Sequence, residues 1–278
     1  RINYINLFPI FYMLERRSDC SGYEIVEGVP SSLNALLREG LIDISPSSSI
    51  EYLRHKERYS IIDWHSISSF GAIRSILLFS KKPIKELDGS TVLASSQSET
   101  SVALLDIVFK KFYNINSPLI PSGEPLEKAL KSYPAYLLIG DEAMREHKKQ
   151  QGAERNAECG MRNAEFKSTP NSGLYIYDLG DIWHRETGLP FVFALWIARK
   201  DCCIENPGLF KKFKQDLDSA KEAALRNFED IAKESPLKDI LTPDETVRYW
   251  QGISYDLNEE QMRGLDLFSK YAGELNLL

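Results

Sequence analysis

The stretch Ala72-Ile73-Arg74-Ser75-Ile76-Leu77-Leu78-Phe79 is apolar apart from Arg74 and Ser75. A run of that kind reads as a strand buried on both faces, because a half-exposed strand would alternate apolar and polar positions. A second such run is Phe191-Val192-Phe193-Ala194-Leu195-Trp196-Ile197-Ala198. Working outward from the first run, residues 2–5 read as a short strand and 9–14 as the opening turns of a helix. Val29-Pro30-Ser31-Ser32 starts a helix that Gly40 stops, with Leu33, Leu36 and Leu37 on one face. Strands are expected at 41–44 and 59–62, with a short helix capped from Ser47-Ser48-Ser49 between them. Beyond the first run, residues 83–87 lead to an Asp88-Gly89 turn and a strand at 91–94. Ser98 starts a helix, 118–121 is an extended link, and 124–130 is helical. A strand at 135–139 ends at Gly140, Asp141 caps the next helix, and 175–179 is a strand. The tail reads as helices starting at Asn206-Pro207, Thr242-Pro243 and Asn258-Glu259. Strands alternating with helices predict an α/β protein with mainly parallel sheets.

The chain has 278 residues, which at about 150 residues per domain suggests two domains. Forty acidic against 34 basic residues give a net charge of −6, so no basic excess points to nucleic acid. The 43% apolar content supplies core material enough for a folded chain. No run of 18 apolar residues occurs, so no membrane-crossing helix is expected. Cysteines stand at 20, 159, 202 and 203 without any C-x-x-C pair, which fits neither a disulfide framework nor a zinc ribbon. Free thiols suggest a reducing compartment, the cytoplasm. The opening residues read as a strand and not as a signal peptide, although a segment removed upstream stays open. Residues 148–173 are polar, and Arg155-Asn156-Ala157-Glu158 returns as Arg162-Asn163-Ala164-Glu165. That segment reads as a surface insertion; a lid or partner contact is the alternative.

No dinucleotide fingerprint, phosphate-binding P-loop or G-x-S-x-G elbow is present. The four histidines, His55, His65, His147 and His184, show no metal-ligand spacing, and no metal or cofactor is expected. What stands out are junctions where a strand passes into a helix through hydroxyls and amides. Ser95-Ser96-Gln97-Ser98-Glu99-Thr100-Ser101 carries five hydroxyls at the positive end of a helix. Simple capping needs one hydroxyl; holding a carboxylate or phosphate uses more. Asn6, Pro46-Ser47-Ser48-Ser49 and Gly140-Asp141 follow other strands. Ligands of open α/β sheets bind beyond the carboxyl ends of strands, so the four junctions together suggest one polar pocket. Ser75, inside an apolar strand, is read either as a hydroxyl bonded to backbone or as a pocket group. Arg74 should point to the opposite face. Asp141 either caps its helix or bonds a ligand from the cleft floor. Trp183, Trp196, Phe193 and Tyr12 are read as core rather than pocket lining.

Several of these segments resemble one family in order along nearly the whole chain. Ile2-Asn3-Tyr4-Ile5-Asn6-Leu7-Phe8-Pro9, Gly71-Ala72-Ile73-Arg74-Ser75 and the residues 96–101 are similar to segments of the chorismate dehydratases of the futalosine route to menaquinone. So are Leu138-Ile139-Gly140-Asp141-Glu142-Ala143, Tyr177-Asp178-Leu179-Gly180 with Trp183, and Thr187-Gly188-Leu189-Pro190 running into the second apolar run. The insertion at 148–173 departs from the family pattern, and the carboxyl-terminal helices match only by type. The resemblance implies a two-lobed, type II periplasmic-binding-protein-like α/β fold with the ligand cleft between lobes. Lobe 1 would be residues 1–82 plus 191–278 and lobe 2 residues 83–190, the two apolar runs serving as crossing points. It implies conversion of chorismate to 3-[(1-carboxyvinyl)oxy]benzoate and water, with chorismate as the small-molecule partner. Asn6 would orient the substrate and Ser75 would donate to the leaving hydroxyl or to a substrate carboxylate. Ser98, Thr100 and Ser101 would hold a substrate carboxylate, with Ser47, Ser48, Gly140 and Asp141 completing the binding site. Two alternatives stand: 1,4-dihydroxy-6-naphthoate synthase of the same pathway and fold, and a non-catalytic binding protein for an anionic solute.

Overall fold

The computed structural model describes residues 1–17, 22–155 and 173–278. The seven-residue repeat, apart from Arg155, lies outside the described residues, as do Cys20 and Cys159. Two sheets organise the rest. In the first, β8 (Phe191–Arg199) lies between β1 (Ile44–Ser48) and β2 (Tyr59–Ser69), antiparallel to both. The second has the order β5 (Leu119–Ser122), β4 (Val92–Ser95), β6 (Ala135–Ile139), β3 (Ile76–Ser80), β7 (Tyr175–Asp178). Here β4 is parallel to β5 and β6, whereas β3 is antiparallel to β6 and β7. The expectation of mainly parallel sheets is therefore corrected. An apolar run reports burial on both faces and carries no information about the direction of its neighbours.

The opening run also divides. Residues 72–75 are irregular and the strand begins only at Ile76. Arg74 adopts φ 64°, a left-handed conformation that costs an L-residue free energy and breaks strand geometry. Asp178 holds this turn by accepting from the backbone N–H of Ile73 at 3.1 Å and of Arg74 at 2.6 Å. Because β3 pairs within the second sheet, the chain leaves the first sheet between Ser69 and Ile76, ahead of the expected boundary at residue 82. It returns between α7 (Leu179–Thr187) and β8.

Other expectations shift by packing. Residues 2–5 form no strand, only an isolated bridge from Ile2 to Gly28. The strand expected at 41–44 begins at Ile44, and the link at 118–121 is β5, an edge strand where Pro121 is tolerated. Helices α1 (Phe8–Arg17), α2 (Pro30–Glu39) and α3 (Ser49–Arg54) precede the first crossing. Helices α4 (Glu99–Ile107), α5 (Leu126–Ser132) and α6 (Gly140–Arg155) follow β4, β5 and β6 respectively. The tail supplies α8 (Lys200–Glu205), α9 (Pro207–Arg226), α10 (Phe228–Ala232), α11 (Pro243–Gln251) and α12 (Glu259–Glu274). Thr242 and Asn258 each form a capping box, which marks the starts of α11 and α12 as their sequences predict. The core runs through both sheets, and Trp183, Phe191 and Phe268 meet edge to face where the chain returns to the first sheet. Trp183 and Trp196 are buried as expected and Tyr12 is partly buried against the same core, whereas Phe193, buried too, also lines a cavity between the sheets.

Candidate active site

Asn6, Ser48, Ser75, Ser98, Ser101 and Gly140 wall one cavity of about 70 Å³ between the two sheets. They come from five separate places in the chain: the segment before α1, the end of β1, the turn before β3, the start of α4 and the start of α6. The remaining wall is largely apolar, including Ile73, Ile139 and Phe193. Among the side chains lining it Tyr4 alone is titratable, and burial beside Asp141 and Glu142 pushes its hydroxyl well above its ordinary value. Tyr4 Oη donates to Gln97 Oε1 and so ties the amino-terminal segment to the serine-rich junction before α4. The Tyr4 ring rests on Gly140, whose φ of +62° and close approach leave little room for a side chain, since a Cβ would stand 3.3 Å from the ring.

Two polar atoms at the cavity are of particular interest. Asn6 Oδ1 is buried and has no hydrogen-bond partner among the described residues. A buried acceptor left unpaired costs free energy, so it marks a place where a ligand group or water restores the bond. Ser75 is buried at 3% exposure, and its Oγ accepts from Tyr249 Oη at 3.0 Å. The backbone behind these residues is held from the tail and from α6. Trp250 Nε1 donates to the Ile5 carbonyl at 2.7 Å, Tyr255 Oη donates to the Asn6 carbonyl at 2.8 Å, and Gly140 N–H donates to the Ser75 carbonyl at 2.7 Å.

At the head of α4, Ser98 caps the helix through its contact with Ser101 N–H, and the two hydroxyls are 2.9 Å apart. Both face the cavity, so capping and pocket lining coexist there. Ser48 accepts from Asn34 Nδ2 at 2.9 Å while lining the cavity. Three expected binding residues do not line it. Thr100 Oγ1 accepts from Ile50 N–H at 3.0 Å, joining α3 to α4. Asp141 is the second residue of its helix rather than the cap, and its Oδ1 accepts from Ile5 N–H at 3.1 Å. Burial raises the Asp141 carboxyl, opposed by that bond. Ser47 points into the interior; it is fully buried and its Oγ has no partner among the described residues. Side chains on neighbouring positions of a strand or helix face different ways, which is why Ser48 and Ser101 reach the cavity and Ser47 and Thr100 do not.

Asp178, Tyr249, Trp250 and Tyr255 escaped the sequence reading as supports of the site. Asp178 stands in a quoted segment, but its contacts with residues 73 and 74 span more than a hundred positions. The three aromatics belong to the tail, where the sequence shows only helix starts. Among the described residues no group of three or more His, Cys, Asp or Glu gathers as a metal site. His65 is buried and bonded to Asp218 at 2.7 Å, a packing role. No helix among the described residues is long and apolar enough to cross a membrane. A larger cavity of about 260 Å³, walled by Phe11, Leu14, Pro46, Trp196 and Phe213, shares no lining residue with the first.

A family described as menaquinone biosynthesis matches residues 1–274. A chorismate dehydratase of Thermus thermophilus is 28% identical over 276 residues, covering 97% of this chain and 93% of that protein. A chorismate dehydratase of Campylobacter jejuni is 26% identical over 284 aligned positions, covering 100% and 98%. Among solved structures, a protein of Archaeoglobus fulgidus superposes with a TM-score of 0.76 at 17% identity, covering 100% of this chain and 97% of the other. A Candida albicans protein described as having the generic periplasmic binding protein fold superposes with a TM-score of 0.59 at 10% identity, covering 98% and 88%. The fold is thus periplasmic-binding-protein-like, and with its family matched from the first residue to residue 274, the chain belongs to the menaquinone biosynthesis family.

Proposed function

We propose that this protein is a chorismate dehydratase, a carbon–oxygen lyase that converts chorismate to 3-[(1-carboxyvinyl)oxy]benzoate and water. The observation that carries the reading is the convergence of Asn6, Ser48, Ser75, Ser98 and Ser101 on one cavity between two sheets, in a chain of this family. The similarity to two chorismate dehydratases along nearly their whole length supports it. The ligand cleft then lies between two lobes. Lobe 1 carries β1, β2, β8 and the helical tail, and lobe 2 carries β3 to β7, with crossings at residues 70–75 and 188–190.

The reaction breaks the C3–H and C4–O bonds of chorismate. The electron pair of the C3–H bond becomes the new ring double bond, the hydroxyl leaves C4, and proton and hydroxyl depart as water. Aromatisation of the ring supplies the driving force. The enzyme must hold a dianion, fix the ring, and assist the leaving group. Ser98 and Ser101, at the positive end of α4, hold a substrate carboxylate. Asn6 offers its unpaired Oδ1 and its amide to orient the ring, and Ser75 donates to the leaving hydroxyl. The cavity lining contains no carboxylate, histidine or lysine, so the substrate's own side-chain carboxylate takes the C3 proton. The free thiols of Cys202 and Cys203 support a reducing, cytoplasmic setting.

The test is incubation of the purified protein with chorismate, followed by chromatography and mass measurement of the aromatic enol ether. Formation of that product is expected, with kcat/KM reduced about 100-fold or more in Asn6→Ala and in Ser75→Ala, the scale of losing one well-placed hydrogen-bonding group. Unchanged chorismate removes the activity assignment, and wild-type kcat/KM in both variants removes the two residues.

A further inference from the structure

Tyr249 stands 174 positions from Ser75, yet its Oη donates to Ser75 Oγ at 3.0 Å. Both residues are buried at 3% exposure. A serine hydroxyl has one proton to donate and two lone pairs to accept with. Accepting from Tyr249 occupies a lone pair and leaves the Ser75 proton to be given elsewhere. No other described group bonds to Ser75 Oγ, and the space beside it is the cavity. We propose that Tyr249 is a positioning residue: its hydroxyl, by donating to Ser75 Oγ, turns the Ser75 proton into the cleft, toward the hydroxyl that leaves the substrate. This rests on the reading of Ser75 as the donor to that leaving group.

Three further observations agree. The opposite arrangement, with Ser75 donating to Tyr249, would leave the Tyr249 proton without any acceptor in a buried setting, which is the costlier state. Burial and the carboxylates of Asp141 and Asp178 hold the Tyr249 hydroxyl well above its ordinary value, opposed by its bond to Ser75, so it stays a donor across the physiological range. The carrier is rigid as well. Tyr249 sits in the last turns of α11, and its neighbour Trp250 is fully buried and bonded to the Ile5 carbonyl, so the same helix sets both Ser75 and the backbone leading to Asn6.

The experiment compares kcat and KM for chorismate in wild type, Tyr249→Phe, Ser75→Ala and the double variant. Tyr249→Phe keeps the ring and removes the donor. It is expected to lower kcat about tenfold, the scale of one neutral hydrogen bond, with KM unchanged within about twofold. The double variant is expected to match Ser75→Ala, because without Ser75 the tyrosine has nothing to position. Independent, multiplicative losses, or a wild-type kcat in Tyr249→Phe, would overturn the proposal. A second measurement does not depend on turnover. In Ser75→Cys, the donor stabilises the thiolate, so adding Tyr249→Phe is expected to raise the pKa of that thiol by about one unit, read from thiolate absorbance against the same background without the cysteine. No shift would also overturn it. Should wild-type protein leave chorismate unchanged, the dehydratase reading falls, and the thiol titration still decides the role of Tyr249.

Discussion

Thr100 and Ser101 are adjacent hydroxyls with the same sequence signature, and the structure gives them different tasks. Thr100 Oγ1 satisfies Ile50 N–H at the head of α3, whereas Ser101 Oγ meets Ser98 at the cavity. Thr100→Ala is expected to leave a buried N–H unpaired and to cost about 1–2 kcal/mol of stability, visible in a urea titration, while KM for chorismate stays within about twofold. Ser101→Ala should do the reverse, raising KM about tenfold, the scale of a hydrogen bond to a charged group, with little change in the urea midpoint. Equal effects of the two on KM would mean that Thr100 reaches the ligand after all. Sequence identified the hydroxyl-rich junction but not which hydroxyls face inward, since that depends on where α3 docks. Asn6 and Ser75 were legible as pocket candidates, whereas Tyr249, their support from the tail, was not.

Among elements, α7 and α12 secure the second crossing and its surroundings. Asp178 caps α7 through Gly180 N–H at 2.9 Å and Asp181 N–H at 3.2 Å while also holding the turn at 73–74. Burial pushes its carboxyl up to about 6 even against those four donors. A carboxyl raised in the folded state above its unfolded value of about 3.9 binds its proton more tightly when folded. Its contribution to stability is therefore full below about pH 4, declines as pH rises toward 6, and is lost above that. Asp178→Asn retains an acceptor for the N–H groups and cannot titrate. Relative to that variant, wild type should gain about 2 kcal/mol on going from pH 7 to pH 4, measured by urea unfolding; a pH-independent difference would show that Asp178 keeps an ordinary carboxyl. In α12, a Cβ on Gly264 would stand 2.1 Å from the Pro190 carbonyl oxygen. Gly264→Ala must displace the helix or the crossing, and a loss of about 1–3 kcal/mol is expected in thermal denaturation; a variant as stable as wild type would show that the contact gives way freely.

For the whole molecule, the cavity of about 70 Å³ sets a requirement. Ligand pockets are commonly about 300–1,000 Å³, so the space is small for a ring with two carboxylates. On the proposed two-lobed reading, substrate enters when the lobes part, and the two crossings carry left-handed glycines suited to a hinge: Gly71 has φ +99° and Gly188 φ +69°. Ion pairs join residues on either side of the proposed cleft, Arg54 with Glu99, Lys148 with Glu245, and Arg145 with Asp239 at 2.7 Å. Such partly exposed pairs are individually weak and screened by salt. Small-angle scattering is expected to show a free protein that expands as ionic strength rises and contracts when the reaction product is added. A radius of gyration insensitive to both would rule out hinge motion at these crossings.

The α/β class, the burial of the two apolar runs, the helix starts at Thr242 and Asn258, and the set of polar junctions from which the cavity is built are all written in the local sequence. These are local properties: side-chain periodicity, capping chemistry and the conformational preferences of Gly and Pro act over a few residues. Strand direction, the break at Arg74 ahead of β3, the placing of Ser101 rather than Thr100 at the cavity, and the hold of Tyr249 on Ser75 come from long-range packing alone. Each of these is settled by groups far apart in the chain meeting in space, with buried donors and acceptors needing partners that no local pattern specifies.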